Sequence, residues 1–422
     1  MVKKAKKPHY AWAILVACCA FSLGYGMVNN CVGQYYIPIT RDLNFSMGEF
    51  LLQSTIRGFV AAAATTMLDK ALEKIDLRVL LSGSYIIQLA CFALMSTFTK
   101  LWHFFACNVA LAVFIPTTNL FVATIILNRW FIKKRGFATG IAMTFSGVGG
   151  IIMNPVLAWI INGYGWRTAY IANAILAAVV ILPFTVFVMR LQPSDKGLKP
   201  YGYEETDVTD SNAERQAPSD AADTLKGVAR SDAFHSRTFL LMLLLFAALG
   251  LLGGFPQQLS PFGITLGLSI TVAAILPSLS MVGNVLLKLG EGAINDKFGA
   301  KAMMYTGLTV TLIAMILLQN GGSSMFGLMT GALLSGMFLS VMSVGLPLLT
   351  QAVFGSRDYI AIFVKLSLVQ TLFLYLGSPV VGFIYDYTGG YEFAFIIGAI
   401  ITVGLFIITY FIFRTAKKLV RR

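Results

Sequence analysis

The stretch GNVLLKLGEGAINDKFG, residues 283–299, indicates what kind of fold this chain adopts. Its first part is apolar enough for a membrane helix, and it ends in a polar turn. Two charged residues, Lys288 and Glu291, stand inside the apolar part, where a charge costs about 2.5–3.5 kcal/mol at a helix centre. The stretch therefore predicts a membrane helix whose charges need a partner, a water-filled cavity or a function.

The composition extends this prediction to the whole chain. Of 422 residues, 57% are hydrophobic and only 12% are charged, whereas soluble domains carry about 25% charged residues. Apolar stretches long enough to cross about 30 Å of hydrocarbon recur throughout. Twelve spans are predicted, at residues 10–36, 47–68, 77–97, 102–127, 136–162, 167–190, 238–262, 270–293, 301–320, 324–353, 359–385 and 391–413.

A polar segment divides the spans into two groups of six. Residues 191–237 are rich in Asp, Ser, Ala and Pro and lack a hydrophobic period, which is typical of a flexible or partly helical linker. We therefore expect an all-α membrane protein with 12 transmembrane helices in two six-helix halves. The predicted domains are residues 1–190, a cytoplasmic linker at 191–237, and residues 238–422 with a basic tail.

The positions of Lys and Arg predict the orientation. With both termini in the cytoplasm, 26 of the 32 basic residues fall on the inner side, as expected for a multi-pass protein of the cell membrane. The basic clusters at both ends would face anionic lipid, so the net charge of +13 needs no nucleic acid partner. The apolar run continues past Cys18, which favours an uncleaved first helix. The five cysteines form no metal-binding or disulfide pattern.

Several motifs carry a resemblance to a known family. MLDKALEKIDLR (67–78) and INDKFGAKAM (294–303) follow the second and eighth spans at matching places of the two halves. Others are NRWFIKKRGFATGIAMTFSGVGGIIMNP (128–155), GWRTAY (165–170), RLQPSDKGLKPYG (190–202) and GSPVVGFIYDYTGGYEFAF (377–395). With these motifs the chain resembles the major facilitator superfamily, and within it the branch of monocarboxylate transporters and oxalate/formate antiporters.

The same motifs suggest how the helices pack and gate. The fifth span carries small residues that let neighbouring helices approach and slide, namely Gly136, Gly140, Gly147, Gly149 and Gly150. The inner loops place the acids Asp69 and Asp296 near cations such as Arg129 and Arg135. These four residues are candidate gating contacts, and the alternative is simple anchoring of the cations at the inner surface.

The charges within the spans are the candidate substrate contacts. Arg57 lies about a dozen residues before Asp69, or some 18 Å from the inner end of its helix, which is too deep for its side chain to reach the membrane surface easily. The two parallel N–H groups of its guanidinium suit a carboxylate. A structural pair with an unseen acid is the alternative. The resemblance places Lys288 at the position where relatives carry a substrate-binding cation. Lys365 is a weaker candidate, because its side chain can reach the inner surface. The oxalate/formate antiporter carries a Lys in this helix, and aligning its motif on Gly377 puts Gln370, not Lys365, at that position.

Neutral side chains and one acid complete the candidate set. Tyr35, Asn29, Asn154 and Gln257 could orient a ligand by hydrogen bonds or could only pack between helices. Glu291 could neutralise Lys288 one turn away or carry a coupling proton. Proton-coupled relatives have an Asp at the position of Asn284 and a Lys at the position of Asn29. The family's usual proton relay is therefore incomplete in this chain.

These observations predict a non-enzymatic secondary transporter of a small organic anion, a mono- or dicarboxylate. It would work as a monomer by alternating access, as symporter or antiporter, with a proton or a counter-anion as partner and no cofactor. The alternatives are a transporter of drugs or zwitterions, and a sensor built on the transporter fold. No nucleotide-binding or acyl-transfer motif is present in the sequence.

Overall fold

The chain is helical throughout the part that the structure describes. A computed structural model describes residues 9–67, 74–203, 227–417 and 419, and no β-strand occurs within these ranges. Eight helical stretches among them are long and apolar enough to cross a membrane. The predicted all-α membrane fold is confirmed.

Two of the eight stretches are too long to be single spans. Arg135–Val188 has 54 residues and Ile270–Gln319 has 50, which at about 1.5 Å per residue exceeds twice the thickness of the hydrocarbon layer. Each is broken at one glycine, Gly165 at φ +82° and Gly299 at φ +81°, a left-handed conformation that side chains other than glycine's rarely adopt. Each stretch therefore contains two spans joined by a tight turn.

With Met47–Thr65 and the interrupted helix at 101–130, the described residues form twelve spanning helices, as predicted. They are α1 Ala11–Leu43, α2 Met47–Thr65, α3 Leu77–Thr97, α4 101–130, α5 135–164, α6 166–188, α7 Arg237–Thr265, α8 270–298, α9 300–319, α10 Met325–Phe354, α11 Tyr359–Thr388 and α12 Glu392–Ala416.

Each group of six helices has its own hydrophobic core. One cluster of buried side chains runs from Ala11 to Met189 and a second from Val228 to Ala416. Outside these cores, large apolar side chains are exposed, including Phe326 (81%), Phe187 (74%) and Leu289 (72%). Apolar exposure on this scale belongs in lipid, and the chain is a multi-pass membrane protein.

The described ends of the linker pair with matching loops of the two halves. The Tyr201 N–H donates to the Trp130 carbonyl (2.8 Å) in the turn between α4 and α5. The Val228 N–H donates to the Phe354 carbonyl (2.8 Å) in the turn between α10 and α11. These equivalent anchors agree with the duplication suggested by the sequence. The domain boundaries stay a prediction, and residues 204–226 of the linker lie outside the described residues.

The two halves are joined by hydrogen bonds on one side of the membrane. We call the side with residues 9 and 419 and the described ends of the linker the linker side, and the opposite one the far side. On the far side, the Ser46 hydroxyl and the N–H groups of Met47 and Gly48 donate to the Asp386 carboxylate (2.5, 2.9 and 2.6 Å). A carboxylate at a helix N-terminus makes strong, charge-assisted bonds. Asp386 of α11 therefore latches the C-terminal half to α2.

A second far-side contact joins α1 to α7. The Tyr36 hydroxyl donates to Gln257 Oε1 (3.1 Å), and the Ser260 hydroxyl donates to Gln34 Oε1 (2.9 Å). Since these bonds must break for the far side to open, the conformation is the one in which the far side is closed.

We expect Asp386→Ala to loosen the far-side closure. Loss of the charge-assisted bonds removes about 1.5 kcal/mol or more, roughly tenfold in the ratio of closed to open states. Spin labels at the exposed Glu49 and Glu392, in a background without the five native cysteines, would report longer far-side distances. Asp358→Ala is the control, because Asp358 accepts the backbone N–H of Arg230 in the linker (2.7 Å) and does not join the two halves. Unchanged distances in Asp386→Ala would contradict the latch.

Candidate functional site

A cavity of about 190 Å³ lies between the two halves. Five helices supply its walls, namely α1, α2, α7, α8 and α11, together with Leu339 of α10. The polar side chains that line it are Tyr25, Asn29, Asn30, Ser54, Arg57, Gln257, Tyr375 and Ser378. The cavity therefore combines one cation with neutral hydrogen-bonding groups, at the junction where the two halves move against each other in repeat-built transporters.

Arg57 is the charged residue of this cavity. It also lines two smaller cavities next to it, of about 40 and 30 Å³. Its Nε is buried without a hydrogen-bond partner, and its Cζ lies 6.0 Å from the centre of the Tyr375 ring. Throughout the described part of the chain, no carboxylate lies within 4.0 Å of the guanidinium. The alternative of a structural ion pair finds no partner here.

Close packing of α2 against α11 sets the position of Arg57. The next residue, Gly58, lies against the Tyr375 ring, so that any side chain there would collide with it. The hydroxyls of Ser54 and Thr55 donate to the Tyr375 carbonyl (3.3 and 3.0 Å). Arg57 is thus held on a rigid helix pair.

Two of the predicted neutral contacts do line the cavity. Asn29 donates to the Tyr25 carbonyl of its own helix (3.2 Å). Gln257 accepts from Tyr36 (3.1 Å) and Ser378 (3.4 Å) through Oε1. Its amide N–H groups have no protein partner among the described residues, which leaves them free to donate to a ligand.

Other predicted contacts lie elsewhere. Tyr35 is buried in the N-terminal half, stacked on Tyr170 at 4.1 Å and donating to the Ala169 carbonyl (3.2 Å). Asn154 accepts from Gln34 (3.0 Å) in the far-side contact. Gln370 and Lys365 of α11 do not line the cavity, and the Lys365 ammonium lies 4.3 Å from the Phe234 ring centre. In this conformation these four side chains do not meet Arg57.

Lys288 is half-buried and lies outside the enclosed part of the cavity. It follows the cavity residue Met281 by seven residues, which is two helical turns or about 10 Å along the same face of α8. Lys288 therefore stands on the linker side of the cavity.

Glu291, one turn beyond Lys288, is 2% exposed. The Ser340 hydroxyl of α10 donates to its Oε2, while its Oε1 is buried without a partner. Among the described residues, no ion pair within 4.0 Å joins Glu291 to Lys288. The predicted neutralisation of Lys288 is thus not formed in this conformation, because the carboxylate turns towards α10.

Asn284 is buried where α8 meets α10. Its backbone lies so close to Gly336 that a Cβ on that glycine would collide with the Asn284 N atom. Its side-chain Oδ1 is buried without a hydrogen-bond partner. Its predicted role in coupling stays a prediction.

Comparison with known proteins now identifies the family. The sequence model of the Major Facilitator Superfamily matches residues 14–290 and 259–422. The chain belongs to the Major Facilitator Superfamily. It is 22% identical over 358 residues to Probable transporter MCH2 of Saccharomyces cerevisiae, covering 79% of this chain and 68% of that protein. It is 23% identical over 285 residues to Monocarboxylate transporter 13 of Bos taurus, covering 66% of this chain and 60% of that protein.

Solved structures support the superfamily fold. An inward-facing, unoccupied bacterial homolog of the human lysosomal transporter Spinster superposes with a TM-score of 0.73, at 15% identity, over 98% of this chain and 99% of that one. The nucleoside transporter NupG gives 0.67 at 14% identity, over 97% and 99%. A D-xylose-proton symporter gives 0.68 at 14% identity, over 96% and 97%. These likenesses show the fold and leave the substrate open.

Of the four loop residues predicted to gate the transporter, the three that the structure describes form no ion pair with one another. Asp69 lies outside the described residues. Asp296 and Arg129 are exposed, and neither forms an ion pair within the described ranges. Arg135 donates from Nε to the Phe131 carbonyl of its own loop (3.1 Å). Their gating role stays a prediction for the state in which the linker side closes.

The cavity also contains residues that sequence reasoning missed. Tyr25, Ser54, Tyr375 and Ser378 line it without having been predicted as contacts. Tyr375 and Ser378 flank Gly377 in the motif of the eleventh span, so this motif could have indicated them as contacts from α11. For the other two no signal stands out, because a single Tyr or Ser in a membrane helix is common.

Proposed function

We propose that this protein is a secondary transporter that carries a small organic anion, a mono- or dicarboxylate, through the cavity around Arg57. The observation that carries the proposal is a guanidinium between the two halves with no carboxylate of the described residues beside it. Charges removed from water need a partner. An anionic ligand would supply that partner, and a carboxylate matches the two parallel N–H groups of the fork.

The size and lining of the cavity support a small substrate. Its volume of about 190 Å³ is below the 300–1,000 Å³ typical of sites for drug-sized ligands. Asn29 and Gln257 would orient the rest of the molecule by hydrogen bonds. Lys288, on the linker side of the cavity, would attract the anion before it reaches Arg57, whereas contacts from Tyr35, Asn154, Gln370 and Lys365 would require a different conformation.

Alternative substrates find weaker support in this cavity. A cationic drug or a zwitterion requires an acidic group, and no Asp or Glu is among the described residues that line the cavity. A neutral nucleoside or sugar, as named for two structural neighbours, would leave Arg57 without a counter-charge. A sensor would need an output surface. The name of the bovine relative, a monocarboxylate transporter, agrees with the anion proposal, whereas the name of the yeast relative, a probable transporter, agrees with transport alone.

Transport would proceed by rocking of the two halves, which are residues 1–190 and 238–422 joined by the linker. The far-side contacts break while the linker side closes, with the gating loops meeting there. If the termini lie in the cytoplasm of a cell membrane, uptake of a lone anion costs about 2.3 kcal/mol per 100 mV. The carrier is therefore a symporter or an antiporter, and its work requires no catalytic residue or cofactor.

Ligand-induced thermal stabilisation of the purified protein tests the proposal. We expect small mono- or dicarboxylates to raise the melting temperature, because a ligand that binds only the folded state stabilises it. Amino acids, cationic drugs, nucleosides and xylose serve as comparison ligands. Stabilisation by cations or neutral compounds alone would contradict the carboxylate assignment.

A further inference from the structure

A recess of about 750 Å³ on the linker side of the C-terminal half is separate from the anion cavity. It lies between the first turn of α9, the last turn of α10 and the end of α12. Three cations line it, namely Lys301 of α9, Arg414 of α12 and Lys417 directly after α12. No Asp or Glu is among the described residues that line it. The recess therefore concentrates positive charge within one half of the transporter.

These three cations have no partner in the part of the chain that the structure describes. None of their side chains forms a hydrogen bond or an ion pair with a described residue. Arg414 and Lys417 stand at a helix C-terminus, where the helix dipole favours a cation. Lys301 is the second residue of α9, at the end where the dipole disfavours a cation. The helix dipoles thus account for Arg414 and Lys417 but leave Lys301 without compensation.

The matching recess of the N-terminal half contains its own acids. It has a volume of about 390 Å³ and lies between the start of α3 and the end of α6. Its charged lining residues are the cations Lys74, Arg78 and Arg190 and the acids Asp76 and Asp195. Arg78, the second residue of α3 and the counterpart of Lys301, pairs with Asp76 at 3.1 Å. The N-terminal half thus supplies the counter-charge itself, whereas the C-terminal recess leaves that place to an external anion.

The C-terminal recess is charged at the membrane surface and aromatic at greater depth. Because α12 runs from the far side to the linker side, Tyr410 lies seven residues, or about 10 Å, deeper than Lys417. Tyr410, Phe413 and Lys417 share one face of the helix, since they are spaced three and four residues apart. Tyr410 is 51% exposed, on a part of α12 that also exposes Phe411. A ligand that fills this recess meets cations with one end and aromatic rings with the other, as an amphiphile requires.

We propose that this recess binds a phosphate group, and that the ligand carrying it is an anionic phospholipid. Phosphate oxygens accept strong, charge-assisted hydrogen bonds from Arg and Lys, and basic pockets between membrane helices bind phospholipid headgroups. A soluble phosphate ester has the same oxygens but would leave Tyr410 and Phe413 uncovered. The site differs from a general attraction of basic chain ends to lipid, because it requires Lys301, which belongs to neither end.

The site is independent of the anion transport proposed above. α9, α10 and α12 belong to the same half, so that they move together when the two halves rock. The recess therefore keeps its shape in both conformations, and its ligand can be measured without any transported substrate.

Native mass spectrometry of the purified protein in an uncharged detergent tests the site. The probes are dioleoyl phosphatidylglycerol and dioleoyl phosphatidylcholine, which share their acyl chains and differ in net charge. We expect the wild type to retain phosphatidylglycerol in preference to phosphatidylcholine. Each Lys or Arg removed should weaken binding about fivefold, so that Lys301→Gln combined with Arg414→Gln should bind phosphatidylglycerol about 25-fold more weakly.

Lys74→Gln combined with Lys297→Gln is the matched control. It removes the same charge from the same side of the membrane, at exposed lysines that lie outside the C-terminal recess. It should retain phosphatidylglycerol as the wild type does. Equal weakening in the two double variants would overturn the site, because lipid would then respond to total charge alone. Equal retention of both lipids by the wild type would also overturn it.

Glycerol 3-phosphate distinguishes a lipid from a soluble ligand. Added in excess, it should leave phosphatidylglycerol bound, because it cannot cover Tyr410 and Phe413. Displacement of the lipid would overturn the lipid assignment and identify a soluble phosphate ester as the ligand of the same cations. None of these measurements uses a carboxylate, so a failure of the anion proposal would leave their outcome unchanged.

Discussion

Arg57→Gln is expected to abolish carboxylate binding and transport while leaving the protein folded. Removing one partner of a buried, hydrogen-bonded charge pair costs about 2–5 kcal/mol, which corresponds to a loss of affinity of about 30-fold to several-thousand-fold. Because no carboxylate of the described chain pairs with Arg57, the substitution breaks no ion pair. Ligand-induced stabilisation and uptake into liposomes are the measurements.

Arg57→Lys separates the role of charge from that of geometry. Lysine keeps the positive charge but cannot make two parallel bonds to a carboxylate, so we expect partial binding, between that of the wild type and Arg57→Gln. The control is Arg41→Gln, at an exposed arginine of α1, which should bind normally. Full transport by Arg57→Gln would remove the central observation behind the anion assignment.

The fold was largely predictable, because the bilayer determines both the length of each apolar stretch and the unequal distribution of Lys and Arg between its two sides. All twelve spans were anticipated, and the main differences lie at their ends and interruptions. The third span, for example, reaches Thr97 only through a final 3-10 turn. Pro155 does not interrupt its helix, because α5 continues through it and turns only at Gly165. Length signals a span, whereas local backbone geometry depends on packing that a single sequence does not display.

The sequence predicted how deep the charged residues of the site lie in the membrane, but not which neighbouring side chains they contact. An ionisable residue in a membrane span indicates function, and Arg57, selected on this ground, lines the cavity, while its role in substrate binding stays a prediction. For Glu291, helical spacing gave its distance from Lys288 but could not tell that α10 would offer Ser340 as a closer partner. Tyr375 enters the cavity only because Gly58 lets α11 approach α2. Contacts between helices distant in sequence decide such positions.

The glycines of α5 give the second large expected effect, and they divide into two groups. Gly147, Gly149 and Gly150 lie against neighbouring helices, as predicted. Gly136 and Gly140 have open space where a Cβ would stand, so the predicted packing role is wrong for these two. The repeat of small residues looked uniform in sequence, but the glycines that lie close to neighbouring helices are those in the middle of α5, whereas Gly163 near its end has open space.

We expect Gly149→Ala to destabilise the protein by about 1–3 kcal/mol or to prevent its folding, since overpacking displaces backbone as well as side chains. An added Cβ at Gly149 would collide with the Leu23 carbonyl oxygen and would lie 2.9 Å from the Met27 N atom. Both are backbone atoms of α1, so no side-chain rotation can relieve the clash. The melting temperature and the yield of monodisperse purified protein measure the loss.

Gly140→Ala in the same helix is the matched control. Its Cβ meets nothing within 4 Å, and alanine in an exposed helix position stabilises by about 0.5–1 kcal/mol relative to glycine. The same chemical change should therefore lower the melting temperature at position 149 and maintain or raise it at position 140. Equal effects at both positions would show that α1 and α5 do not approach as closely as described. Because Asn29 lies on α1 and the cavity depends on this approach, Gly149→Ala protein that does fold should also lose carboxylate-induced stabilisation.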